Sequence, residues 1–213
     1  MDWITVSVVI HIVSGYLGLA AGFAAAISEK SRGTHSLFGN VFYFSMTLSV
    51  LSVIALSAVR FSPFLFPIAL FTLYMVTGGK LVFYLKKKNQ FLKWWPVYAY
   101  SGIGISLVMI FLAGYFFLYI DGVMAFILAV FSAIQLSMSI VDFRKNPGKM
   151  PKTKVFQHIN KMGGGFIAAT TAFMVVNFSF LPTLVGWMAP TVIGTLLLVY
   201  ASSQRKKKLA GKV

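Results

Sequence analysis

Cysteine is absent from this chain of 213 residues, and only four side chains are acidic. Without thiols there can be no structural disulfide, no thiolate metal centre and no cysteine nucleophile. With so few carboxylates, paired-acid chemistry has little material, and Asp2, Glu29 and Asp121 stand at the terminus or at the edges of apolar stretches, where they read as solvated. Charge is scarce altogether, at 11% of residues where a soluble domain carries about 25%. Missing too are a Ser-His-Asp order, a His-Glu-x-x-His pair and a dinucleotide fingerprint on a strand-helix unit. "KMGGGF", Lys161 to Phe166, has the glycines of a phosphate cradle but lacks the rest of its spacing and lies in an apolar stretch, so it reads as a helix-packing element.

What is present is apolar length. The chain is 58% hydrophobic with a mean hydropathy of +0.83. Runs near the ~20 residues that cross a bilayer occur at Trp3–Ser28, His35–Val59, Pro63–Leu85, Pro96–Ile120, Gly122–Phe143, Val155–Phe178 and Pro182–Ser202. Turn and breaker residues separate them, among them Ser62-Pro63, Trp95-Pro96, Asp121-Gly122 and Asn146-Pro147-Gly148. The expected fold is all-α, a polytopic membrane protein of seven transmembrane helices. The first run is too long for a signal-peptide core of roughly 7 to 15 residues and lacks a basic leader, so it is expected to stay as a helix.

A formal net charge of +15 would suggest nucleic acid in a soluble chain, but here its placement indicates topology. Lys30 and Arg32, then Lys86, Lys87, Lys88 and Lys93, then Arg144, Lys145, Lys149, Lys152 and Lys154, and finally Arg205 to Lys208 with Lys212, put 16 of the 19 bases on one side. Lys and Arg concentrate in cytosolic loops, so the amino terminus is expected outside and the carboxyl terminus in the cytosol. This implies a single transmembrane domain over residues 1–204 and a basic cytosolic tail over 205–213. The expected partners are the bilayer and anionic lipid headgroups at the basic loops; nucleic acid is not expected.

In lipid, small residues permit close helix approach and polar residues turn inward. Helix one carries His11 on a face with Gly15, Gly18, Gly22 and Ala25; helix two lines up His35, Gly39, Phe42, Ser45, Ser49 and Ser52. Tyr74, Thr77, Lys80 and Tyr84 follow on helix three, Ser132, Gln135, Ser139 and Asp142 on helix five, and His158 and Lys161 on helix six. Helix four looks peripheral. At ~1.5 Å per residue, His35, Lys80, Asp142, His158 and Lys161 share the cytosolic zone. His11 lies ~12 Å below the outer surface, at the depth of Ser49, Ser52, Thr170, Thr171 and Thr191.

For His11 the readings are a hydrogen bond to a neighbouring Ser or Thr, or a proton-relay or ligand role. His11, Ser49, Gln135 and Thr171 thus form the intramembrane polar set. For the inner group, His35 and His158 with Asp142 suggest a two-His-one-carboxylate metal site or an axial haem pair. Lys80 and Lys161 suggest instead an anionic ligand, with Asp142 partly compensating, or else two lysines snorkelling to the headgroups. The candidate functions are binding or transport of a small anionic or amphipathic ligand, haem or divalent-metal redox chemistry, and a structural or assembly role. No catalytic residue is singled out. "HIVSGYLGLAAGFAAA" and "HINKMGGGFIAATTAF" also align without gaps on helices expected to run in opposite directions, as in the inverted repeats of transporters, although two segments rich in Gly and Ala reach such a similarity by chance more readily.

The blocks "HIVSGYLGLAAGFAAAISEKSRGTHSLFGNVFYFSM", "YMVTGGKLVFYLKKKN", "FQHINKMGGGFIAATTAFMVVN" and "WMAPTVIGT" together resemble a bacterial family of uncharacterised predicted membrane proteins. The resemblance covers most of the chain and supplies no activity. It implies a bacterial inner membrane and singles out His11, His35 and His158, with Gly15, Gly18, Gly39 and Gly165 as packing partners. Where the family tends to Gly-Tyr-Arg at the end of helix three, this chain has Gly78-Gly79-Lys80. Lys keeps the cation but lacks the planar two-pronged contact of Arg.

Overall fold

The computed structural model describes residues 2–29, 33–57, 59–85, 88–144 and 150–210. Within them lie seven helices: α1 (Trp3–Ile27), α2 (Thr34–Ser57), α3 (Leu65–Tyr84), α4 (Lys88–Tyr119), α5 (Gly122–Phe143), α6 (Met150–Asn177) and α7 (Thr183–Ala210). All seven are long and apolar enough to cross a membrane, and the described residues contain no strand. Large apolar side chains such as Val13, Phe111, Phe117 and Leu196 point outward, as they should when lipid is the solvent.

Local chemistry accounts for the helix starts. Asp2 accepts a hydrogen bond from the Thr5 amide at 2.7 Å and caps α1; Asp121 does the same for α5 through the Met124 amide at 2.7 Å. Each satisfies an amide that the first helical turn leaves without a partner.

The helices exceed the apolar runs where they leave the bilayer. α4 begins at Lys88 and runs through Pro96, α6 begins at Met150, and α7 continues through Pro190 to Ala210, so Arg205 to Lys207 belong to its last turns. Apolar length measures bilayer thickness, whereas Lys, Gln and Leu carry a helix on into water. Pro96 removes one helical hydrogen bond close to the end of α4, where water can satisfy the freed carbonyl. Of the bases assigned to one side, Lys30, Arg32, Lys86, Lys87, Lys145, Lys149 and Lys212 lie outside the described residues, as do the side chains of Lys88, Lys152 and Lys208.

Packing is built from hairpins around a centre. α1 pairs with α2, α4 with α5 and α6 with α7, while α3 touches α2, α4 and α6. α3 is buried around its circumference, through residues such as Phe71, Tyr74, Met75, Val76 and Val82. Phe64, Phe71, Phe116, Phe131 and Trp187 interlock in one half of the bundle, with Phe71 and Phe131 centroids 5.5 Å apart and Phe64 and Trp187 5.2 Å apart. The polar side chains gather in the other half and along the α1–α2 seam.

Candidate functional site

The five residues assigned to one inner zone fall into two clusters on different sides of α3. The first lies among α3, α4, α5 and α6. Asp142 and Lys161 form an ion pair, 1% and 2% exposed respectively. Side chains lean toward the amino end of their helix, so Asp142 on α5 and Lys161 on the antiparallel α6 lean toward each other. The Tyr74 hydroxyl donates to the same carboxylate oxygen at 2.7 Å, and Trp95 Nε1 donates to the Asp142 backbone carbonyl at 2.8 Å. The Lys161 ammonium lies 4.1 Å from the Tyr74 ring centroid and 5.2 Å from that of Tyr98. Those rings stack at 4.2 Å, and the Tyr98 hydroxyl donates to the Tyr74 carbonyl at 2.9 Å.

From Tyr74 the network continues down one face of α5. Ser139 Oγ lies 3.4 Å from the Tyr74 hydroxyl, and Gln135 Nε2 reaches Ser139 Oγ at 3.2 Å and the Gly102 carbonyl at 3.3 Å. Ser132 donates to the Ser106 carbonyl at 2.9 Å. Glycine makes the crossing possible at two places. A Cβ at Gly78 would meet the Tyr98 hydroxyl, and one at Gly102 would meet Ser139 and the Tyr74 ring. Asp142 and Lys161 balance each other's charge, and among the described residues the Gln135 side-chain oxygen is buried without a partner.

The second cluster lies among α2, α3 and α6. His35 and His158 approach with ring centroids 6.2 Å apart and planes at 80°. Their Nδ1 atoms lie 2.9 Å from the Ala25 and Gly79 carbonyls respectively. A carbonyl only accepts, so Nδ1 donates in both rings and Nε2 holds the lone pair whenever a ring is uncharged. Lys80 donates to the Asn40 side-chain oxygen and lies 5.7 Å from the Tyr43 centroid. Among the described residues no carboxylate pairs with it. His35, Lys80 and His158 are only partly buried, so this cluster is positive and accessible where the first is neutral and sealed.

Asp142 is therefore engaged with Lys161 and does not join the two imidazoles. Among the described residues no three His, Cys, Asp or Glu side chains form a metal-holding group. His11 stands apart: its Nδ1 lies 3.1 Å from both the Ser49 carbonyl and the Ser49 hydroxyl on α2. Thr171 meets Thr191 at 3.3 Å across the α6–α7 seam, away from His11.

Two expectations are corrected. α4 is not peripheral to the polar site, since it brings Trp95, Tyr98 and the Gly102 carbonyl to Asp142, Tyr74 and Gln135. Its buried residues Trp95, Ala99, Gly102, Ser106, Met109, Ala113 and Phe116 follow helical spacing, a stripe that bulky apolar neighbours concealed. Gly39 is not a packing partner, because a Cβ there would meet nothing, whereas one at Gly18 would meet Met46 and one at Gly165 would meet Val76. The glycines of "KMGGGF" do pack closely: Gly163 against Leu198 on α7, and Gly164 and Gly165 against Met75 and Val76 on α3. No protein-family model, curated protein or solved structure matches the chain.

Proposed function

We propose that the protein binds or transports a small anionic or amphipathic ligand through the cluster of His35, Lys80 and His158. The observation that carries this reading is a half-buried ammonium beside an amide and an aromatic ring, with no carboxylate paired to it among the described residues, on the residue that follows Gly79, whose carbonyl tethers His158. An uncompensated cation in a bilayer is costly and marks a ligand path by default. Lys80 supplies the point charge, and the imidazoles add N–H donors when protonated. Lys161 and Asp142 enter as the support behind the site, since their charges already cancel.

The topology belongs to the same proposal. With the amino terminus outside, the site opens toward the cytosol of a bacterial inner-membrane protein, as the family resemblance and the bias of 16 of 19 bases suggest. The bundle spans residues 1–204, the basic tail 205–213 faces the cytosol, and the basic loops touch anionic headgroups.

The test is thermal unfolding in non-ionic detergent with added inorganic phosphate or phosphatidylglycerol. A ligand at 100 times its Kd adds about 2.7 kcal/mol, so the wild type should melt several degrees higher and Lys80→Met should lose the rise. An unresponsive wild type, or an equal rise in the variant, overturns the reading.

One observation favours a second reading. Metal-binding imidazoles are held by a hydrogen bond at the other ring nitrogen, and both His35 and His158 have this tether. Ring centroids 6.2 Å apart bring the two imidazoles together. These two residues would hold a haem iron or a divalent metal, which would supply electron-transfer chemistry. A Soret band lost in His158→Ala would establish it, and a colourless, metal-free preparation would dismiss it.

A further inference from the structure

α2 and α3 are consecutive antiparallel spans that touch each other, and the bond from Lys80 to Asn40 sets their register. On α2, Asn40, Tyr43 and Thr47 recur at helical spacing; on α3, Thr77 stands one turn before Lys80. The Tyr43 and Thr77 hydroxyls and Asn40 Nδ2 have no hydrogen-bond partner among the described residues, although all three side chains are partly buried. Thr47 Oγ1 is fully buried and has none either. A threonine in an apolar helix can satisfy its hydroxyl on the carbonyl four residues back, as Thr72, Thr170 and Thr171 do in this bundle. Thr47 and Thr77 do not.

Four open polar groups on one seam, beside an ammonium, restrict what completes it. Lys80 supplies a single point charge, which matches a monoanion. Its partner is the oxygen of the Asn40 amide, so the ammonium and the amide N–H stand together and both can meet one carboxylate. The hydroxyls of Tyr43, Thr77 and Thr47 donate as well as accept, and so match hydroxyl groups. An alkyl chain in the same place would leave each of them without a partner in apolar surroundings. A site lined in this way rejects an analogue that lacks the hydroxyls.

We propose that the ligand of the Lys80 cluster is a hydroxylated monocarboxylate, its carboxylate held by Lys80 and Asn40 and its hydroxyls by Tyr43, Thr77 and Thr47 along the α2–α3 seam. The inference rests on the reading of Lys80 as a ligand contact, and it selects a small polar anion over an amphipathic one.

The test follows thermal unfolding of the full chain in non-ionic detergent against rising sodium gluconate, sodium hexanoate or sodium phosphate at constant ionic strength. Gluconate and hexanoate carry the same carboxylate on chains of equal length and differ in their hydroxyls. Gluconate should reach its half-maximal shift at a concentration about tenfold or more below that of hexanoate. Tyr43→Phe and Thr77→Val should each raise the gluconate midpoint severalfold and leave the phosphate response unchanged, while Lys80→Met should lose both. Thr47→Val deletes a buried hydroxyl that has no partner, so without ligand it should melt no lower than the wild type and yet bind gluconate more weakly. Hexanoate that binds as well as gluconate, or a gluconate midpoint that none of the three hydroxyl variants moves, overturns the proposal. In that event a phosphate response lost in Lys80→Met still upholds the cluster as an anion site. A wild type that answers none of the three salts overturns both.

Discussion

The clusters on either side of α3 use the same kinds of side chain for opposite ends. Lys161 and Lys80 are both ammonium groups inside apolar helices, yet Lys161 is 2% exposed against Asp142 and beneath two tyrosine rings, while Lys80 meets Asn40 and Tyr43 and, among the described residues, no carboxylate. A fully engaged charge is a structural element whose removal strands its partner. A partly engaged one keeps attraction to spare for a ligand. What separates the two lysines is the chemistry of the facing helix, which no inspection of α3 or α6 alone reveals.

Breaking the sealed cluster should therefore have the largest effect. Lys161→Met leaves the Asp142 carboxylate buried with the Tyr74 hydroxyl and without the Lys161 counter-charge, and loss of one partner of a buried pair costs about 3–5 kcal/mol. The purified variant should unfold at a much lower temperature or fail to accumulate. Pairing it with Asp142→Leu removes the stranded charge and should recover most of the loss, because an apolar replacement of a whole buried pair is often close to neutral. A double variant no better than the single one would show that the pair matters for something other than charge balance.

Packing sharpens the same contrast. Gly78→Ala places a methyl against the Tyr98 hydroxyl, and overpacking of this kind costs about 1–3 kcal/mol. Gly39→Ala, beside the open cluster, meets no atom and gains helix propensity, so it should leave the melting temperature unchanged or raise it slightly. Measured side by side in one detergent, the two substitutions test whether the sealed side of α3 is the tightly fitted one.

The seven apolar runs were legible because bilayer thickness imposes a length that composition reveals, and their ends differ most where helix continues beyond the apolar run, as at Lys88 and Ala210, and by a residue or two elsewhere, as at Ser57 and Leu65. The inward stripes of α5 and α6 were legible for the same reason, since Gln135, Ser139, Asp142 and Lys161 recur at helical spacing and lie buried. Depth along each helix followed from counting, and Ser49 does meet His11. What stayed hidden was the azimuth of each helix about its own axis relative to its neighbours. That angle decides that Asp142 answers Lys161 while Lys80 turns to Asn40, and that the stripe of α4 faces Tyr74. It is set by interdigitation of bulky and small residues from several helices at once, which one chain's periodicity does not encode.

On the open side the expected cost is small. Lys80→Met removes one hydrogen bond to Asn40 and a partly exposed charge, and should change the unfolding free energy by less than about 1 kcal/mol. It should nevertheless abolish stabilisation by phosphate or phosphatidylglycerol. A Lys80→Met protein as unstable as Lys161→Met would erase the distinction between the clusters.

The smallest effect belongs to a carboxylate that water never leaves. Asp2 is exposed, and hydrogen bonding to Thr5 holds its pKa below the ordinary value of about 3.9. Because the folded value is the lower one, its contribution to α1 is complete above the ordinary value and fades as pH falls through the folded one. Amide exchange at Thr5 and Val6, corrected for the intrinsic pH dependence, should therefore accelerate a few-fold in strong acid. Asp2→Ala should show that faster exchange already at neutral pH and gain nothing further on acidification, while the melting temperature of the bundle barely moves. Asp142 has the same functional group and a far larger expected penalty, so the gap between Asp2→Ala and Lys161→Met measures how much the bilayer magnifies an ionic contact. An equal response at both positions would mean that the interior around Asp142 is wet, and the view of that cluster as sealed would fail with it.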